Sequence, residues 1–136
     1  MIKFSTTLYE TNMPNRNKRI YAEGCFEHID KNKSFPVFIG KEPKVEDFLC
    51  NAKVDWHDDY LDIETEPICN NWRYEKTYKA LTEAFSKGNF AMVPCGHGEM
   101  IYDANKERYI VQDYELTHFY ITNQPAFKFK SKMELV

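Results

Sequence analysis

Ile2, Phe4, Thr6 and Leu8 alternate with Lys3, Ser5, Thr7 and Tyr9, the period of a half-buried strand. Glu10 to Lys18, with Asn12, Pro14, Asn15 and Asn17, reads as a loop by composition. Ala22 to Asp30 sets Cys25, Phe26 and Ile29 on one side and predicts a short helix ending near Asn32. Phe35 to Ile39 is a compact apolar run before Gly40 and predicts a buried strand starting at Pro36. Phe48, Cys50, Ala52, Val54 and Trp56 share one face at period two. His57-Asp58-Asp59 then turns the chain, and Tyr60, Leu61 and Ile63 begin the partner strand of a hairpin.

The second half carries the clearest helix. Tyr74, Tyr78, Leu81 and Phe85 follow one another at steps of four, three and four residues, with Asn70 or Asn71 as cap and Gly88 just past the end. Phe90 to Val93 is apolar, and Pro94-Cys95-Gly96-His97-Gly98 breaks the pattern. Met100 to Tyr102 and Arg108 to Gln112 predict another hairpin across Asp103 to Glu107, and Glu115 to Ala126 reads as a strand ending at a proline. The tail from Phe127 to Val136 keeps some alternation, with Lys128, Lys130 and Lys132 on one side. It is expected as an edge strand protected by lysines, or as an arm that pairs with a neighbour and offers Phe127, Phe129 and Met133 as interface residues.

Strand-rich with one long and one short helix, the chain is expected to be α+β and mainly β. Its mostly antiparallel connections point to a small closed or nearly closed barrel, because closure removes edges. A length of 136 residues supports a single domain, set here at 1–126 with 127–136 as the arm or edge strand. Aromatics at 15% exceed what a small core needs, which places some of them on an interface.

A net charge of −3 with both signs interspersed advertises no nucleic-acid face, and Arg16, Lys18 and Arg19 read as a solvated turn. No apolar run approaches the roughly 20 residues of a membrane span. The opening Met1 to Ser5 lacks the apolar region of a signal peptide, so a reducing cytoplasm, or a particle assembled there, is the expected location. Cys25, Cys50, Cys69 and Cys95 are too widely spaced for a CxxC motif and are expected as buried thiols.

Cys95-Gly96-His97-Gly98 is the segment closest to a reactive constellation, since an imidazolium can stabilise a nearby thiolate. In an extended strand, however, residues i and i+2 lie about 7 Å apart, too far for a thiol–imidazole hydrogen bond. A glycine-rich bend with Cys95 as a small core residue is the expectation. Cys95 and His97 with Cys50 and His57, or Cys25 and His28 in one helical turn, do not make the two tight ligand pairs of structural zinc, so no metal or cofactor is expected. His57-Asp58-Asp59 reads as a solvated turn, and Glu64 with Glu66 as an exposed strand face rather than an acid–base pair.

Asn15-Arg16-Asn17-Lys18-Arg19-Ile20-Tyr21 and Glu115-Leu116-Thr117-His118-Phe119-Tyr120-Ile121-Thr122-Asn123-Gln124-Pro125-Ala126, in that order and at that separation, resemble the prohead (capsid-maturation) proteases of tailed bacteriophages. The resemblance covers roughly residues 2–127 and rests on the order of its segments. It implies a herpesvirus-assemblin-like bent β-barrel, a catalytic histidine at the end of the Pro-Val strand, and a nucleophilic serine on the strand after the helix. Here the histidine position falls near Lys41 or Glu42, and the serine position on Pro94 or Cys95. A serine nucleophile needs an imidazole to take its proton, and neither residue stands at its matching position. The resemblance therefore implies a catalytically inactive scaffold serving as an auxiliary or minor capsid protein in the virion. Its partners would be the major capsid protein, other head proteins or a second copy. The alternative is a divergent maturation protease using Cys95 with His97 or His118, and Glu115 beside them.

Overall fold

The computed structural model describes residues 1–9, 19–22, 24–57, 59–68 and 75–136, with the backbone alone for 75–78. Eight strands and one helix follow in the order β1 (Ile2–Tyr9), β2 (Arg19–Tyr21), β3 (Phe35–Phe38), β4 (Phe48–Trp56), β5 (Tyr60–Thr65), α1 (Glu75–Ser86), β6 (Ala91–Asp103), β7 (Arg108–Thr122) and β8 (Phe129–Leu135). The fold is mainly β with one helix. The expected strands and both hairpins form, including Trp56 opposite Leu61 and Tyr102 opposite Tyr109.

One mixed sheet holds all the strands in the order β2-β7-β3-β4-β5-β1-β8, with β6 on the other edge of β7. β6 lines β7 along its length, so β2 and β3 share the opposite edge, both parallel to it. As paired, the sheet is open, with no backbone ladder between β6 and either β1 or β8 among the described residues. It curls enough for the Met92 amide to donate to Thr6 Oγ1 at 3.1 Å, and the Thr6 and Ser131 hydroxyls are hydrogen-bonded at 2.8 Å. Thr6 thus keeps its place on the buried face of β1 because its one polar atom is satisfied there.

Phe4, Leu8, Leu61, Ile63, Met92 and Phe119 form the centre of the core. α1 closes it on the β1–β8 side, where Phe85 stacks on Phe4 at 4.4 Å between ring centroids and Leu81 is buried one turn earlier. The helix ends as its sequence predicts. Gly88, at φ 71°, donates to the Phe85 carbonyl, and Asn89 donates to Ala84, the paired bonds of a Schellman motif. The expected caps Asn70 and Asn71, Tyr74 and the side chain of Tyr78 lie outside the described residues.

The expected helix over Ala22 to Asp30 does not form. Successive turns replace it, with Cys25 donating to Ala22, Glu27 to Gly24 and Ile29 to Phe26. Gly24 at φ 76° and the Ala22 amide bound to the Val111 carbonyl of β7 hold this segment out of helical geometry. Cys25, Phe26 and Ile29 still point inward, and Phe26, Tyr21, Tyr114 and Phe127 form an aromatic cluster with centroids 5.2–5.8 Å apart. The only other short helical element among the described residues is the 3₁₀ turn Val45–Asp47.

The tail is an edge strand of its own sheet: β8 pairs with β1 antiparallel from Phe129 opposite Leu8 to Leu135 opposite Ile2. Phe127 is buried, and Phe129 and Met133 pack against the core. The three residues offered as an arm's interface therefore serve the fold. No helix among the described residues is long and apolar enough to cross a membrane.

Candidate functional site

The reactive residues singled out from sequence meet on the β6–β7 ladder. Pro94-Cys95-Gly96-His97-Gly98 does not break the strand; β6 runs through it, with register shifts at Cys95/Gly96 and at His97/Glu99. Glycine allows this. A side chain on Gly96 would collide with the Glu115 carbonyl and one on Gly98 with Val111, so β7 approaches closer than any other residue permits. Pro94 is tolerated because β6 is an edge strand. The hairpin return and the Glu115 to Ala126 strand merge into β7, kinked at Asp113, whose φ is 49°.

Cys95 stands opposite His118 and His97 opposite Glu115. Thr117 is the extra residue of the first shift. Its hydroxyl donates to the Cys95 carbonyl at 2.9 Å and lies 2.8 Å from His118 Nδ1. A hydroxyl has one proton, so with that proton on the Cys95 carbonyl its oxygen accepts from Nδ1–H. On this assignment the proton of the neutral His118 ring sits on Nδ1. His118 is 8% exposed, with Nε2 buried and without a hydrogen-bond partner. Phe38 lies edge-on to its ring at 5.5 Å.

Burial holds the His118 pKa below the ordinary imidazole value, partly offset by the Lys41 backbone, which favours the protonated ring. Burial thus favours the neutral ring in the fold, and protonation favours the unfolded chain. Because the folded pKa is depressed, the unfolded chain binds the extra proton between that pKa and about 6.5, and stability rises with pH across this window. Urea melts of the wild type between pH 5 and 8 are therefore expected to lose stability as pH falls through it. His118→Gln is expected to lack that component; an unchanged acid limb would exclude the assignment.

The arrangement lacks the parts of a working nucleophile. Cys95 is half-buried rather than a core residue, and its thiol has no hydrogen bond to either imidazole among the described residues. His97 and Glu115 are exposed across the ladder from one another. Cys25 and Cys50 are inert, since burial pushes each thiol up to about 12, reinforced by Asp113 and Glu66 respectively. Cys69 lies outside the described residues.

The residue pairs weighed as zinc ligands are not brought together. No group of three or more His, Cys, Asp and Glu side chains among the described residues is placed to hold a metal. His28 instead meets Asp113 at 3.3 Å on the surface. Glu64 and Glu66 are separately engaged, by Lys3 at 3.0 Å and by the Ser34 hydroxyl at 2.7 Å.

Sequence reasoning missed a second polar locus. The outer faces of β8, β1, β5 and β4 form a groove of about 630 Å³ lined by Lys3, Thr7, Lys53, Asp55, Asp62 and Glu64 among others. Asp55 stands opposite Asp62, a like-charge pair that needs compensation. Lys31 supplies it at 2.8 Å from Asp55, the Thr7 hydroxyl donates to Asp62 at 2.7 Å, and His57 Nε2 lies 3.5 and 3.8 Å from the two carboxylates. The Lys31 hydrogen bond holds the Asp55 carboxyl below the usual carboxylate range. His57 thus serves two strand carboxylates, not only a turn. The signal was the polar side of each strand's alternation, but it names no partners until the register is known. Asp58 lies outside the described residues. Compared with protein-family models, curated proteins and solved structures, the chain matches none.

Proposed function

We propose that this chain is a structural protein of a tailed-phage head. It is a prohead-protease-like scaffold that has lost its catalytic pair and is held in the virion as an auxiliary or minor capsid protein bound to the major capsid protein. Support for the scaffold comes from the element order: an opening strand, a Pro-Val strand, a hairpin, a helix, and a final long hairpin ending in the Glu-Leu strand. The curl that joins Met92 to Thr6 supports reading the open sheet as a relaxed assemblin-like barrel.

One observation carries the functional reading. The residues at the positions that the resemblance gives to base and nucleophile, and the His118 of the alternative reading, make no hydrogen-bonded nucleophile–base pair among the described residues. The Lys41 backbone is beside His118, and His118 is the register partner of Cys95. Lysine or glutamate stands in place of the base, proline or cysteine in place of the serine, and His118 Nδ1 is engaged by the Thr117 hydroxyl. An acyl transfer needs a nucleophile whose proton has a hydrogen-bonded acceptor.

Purified protein incubated with the capsid and scaffold proteins of its phage is expected to leave both intact. It is also expected to persist in finished particles at many copies. The pairing of Cys95 with His118 favours one competing reading, a cysteine peptidase. Specific cleavage abolished by Cys95→Ala would establish that reading instead, and absence from mature particles would exclude the structural role.

A further inference from the structure

The two ends of the sheet are protected differently. β8 alternates with exposed Lys130 and Lys132, charges that discourage pairing by another strand. The far half of β6 has no such guard. Between Glu99 and Asp103 it presents Met100, Ile101 and Tyr102, which are 53%, 45% and 56% exposed, with Tyr109 of β7 beside them at 47%. No strand pairs with the outer edge of this segment among the described residues. Pro94, which has no N–H, bounds the stretch at one end, and the turn after Asp103 bounds it at the other. The edge between them suits one short strand.

We infer that this edge pairs with the same edge of a second copy, antiparallel, about a two-fold axis at Met100. Opposed residues of an antiparallel pair share a face, so a symmetric pairing must centre on a residue. Centring on Ile101 sets Glu99 against Asp103 of the other copy, twice over, and directly opposed like charges are destabilising. Centring on Tyr102 sets Ile101 against Asp103, no better than the Glu99–Ile101 opposition of a Met100 axis, and also runs Met100 and Glu99 against Ala104 and Asn105, past the end of β6. Centring on Met100 sets His97 against Asp103 at both ends, an imidazole facing a carboxylate. It also sets Tyr102 of the second copy opposite Gly98. Beside Gly98 on that face lies a cleft of about 160 Å³, walled by Gly96, Met100, Val111 and Tyr114. An aromatic ring placed across from a glycine covers the backbone that the glycine leaves bare. Charge, shape and the missing guard all select the same register.

Sedimentation of the full chain across micromolar to near-millimolar concentration tests the pairing. A monomer–dimer equilibrium is expected. Met100→Lys, which opposes two lysines at the axis, is expected to raise its Kd at least tenfold, and Lys130→Ala on the other edge to leave it unchanged. Opposed Cα atoms at such an axis lie within disulfide range. Oxidised Met100→Cys is therefore expected to give a dimer whose mapped disulfide joins position 100 to position 100, while Tyr102→Cys gives no self-link. A folded chain that stays monomeric throughout overturns the inference. So does a dimer that ignores Met100→Lys, or one without the link at position 100.

Discussion

Gly96→Ala is expected to destabilise the fold by about 3 kcal/mol or more, a large share of the stability of a domain this size. A Cβ there would collide with the Glu115 carbonyl oxygen and sit 2.9 Å from its carbonyl carbon and 3.1 Å from Leu116 Cα. All three are backbone atoms of β7, so no rotamer change relieves the collision. The ladder must open between Cys95 and His97, or β7 must move and carry Thr117 and His118 with it. Urea denaturation should show the midpoint falling with the slope unchanged. Amide exchange should show lost protection at Thr117 and His118. Gly88→Ala makes the comparison: only the Ser131 carbonyl lies near, at 3.8 Å, so the penalty there is the left-handed φ of 71° alone, about 1 kcal/mol.

Phe85→Ala is expected to cost about 3–5 kcal/mol, the range for emptying a buried phenylalanine site. Its ring is fully buried and stacked on Phe4, so the loss includes the ring pair as well as the cavity. Leu81 and Phe85 are the buried residues that α1 contributes among those described, and without Phe85 one of these two anchors is lost. The melting temperature should drop by roughly 10 °C or more. Exchange protection over α1 should fall further than over β4 and β5. Phe85→Leu, which keeps most of the apolar volume, should recover most of the stability. A variant that melted like the wild type would mean that α1 is not docked by this face.

Locally encoded features were legible in the sequence. β1 announced itself by alternation, the β4–β5 hairpin by a period-two run on each side of a turn, and the end of α1 by its apolar stripe and Gly88. The failures have local explanations too. Ala22 to Asp30 shows helical spacing of apolar residues, but those residues pack from turns, and the spacing alone does not separate the two. The Cys95 to Gly98 segment looked like a break because glycine and proline usually are. Here they permit a close approach by β7 that is visible only once β7 is in place.

For the candidate site, the resemblance pointed to Lys41 or Glu42 and to Pro94 or Cys95, and the alternative reading joined Cys95 to His97 or His118 with Glu115 beside them. Of the two imidazoles weighed beside Cys95, the ladder pairs it with His118, and a bulge residue, Thr117, takes up the Nδ1 position.

By itself the sequence determined β1, β3, the two hairpins, α1 and its stop, and most of the residues that face inward. Each of these depends on side chains within a few positions of one another. The tertiary structure alone decided that β7 runs parallel to both β2 and β3, that Thr6 bonds to Ser131 and Met92, and that His57 lies between Asp55 and Asp62. The pairings of β7 and Thr6 join segments far apart in the chain, and the place of His57 depends on strand register. The periodicity of one strand marks which face is buried but not which strand will lie beside it, so partner and register are settled only when the whole sheet packs.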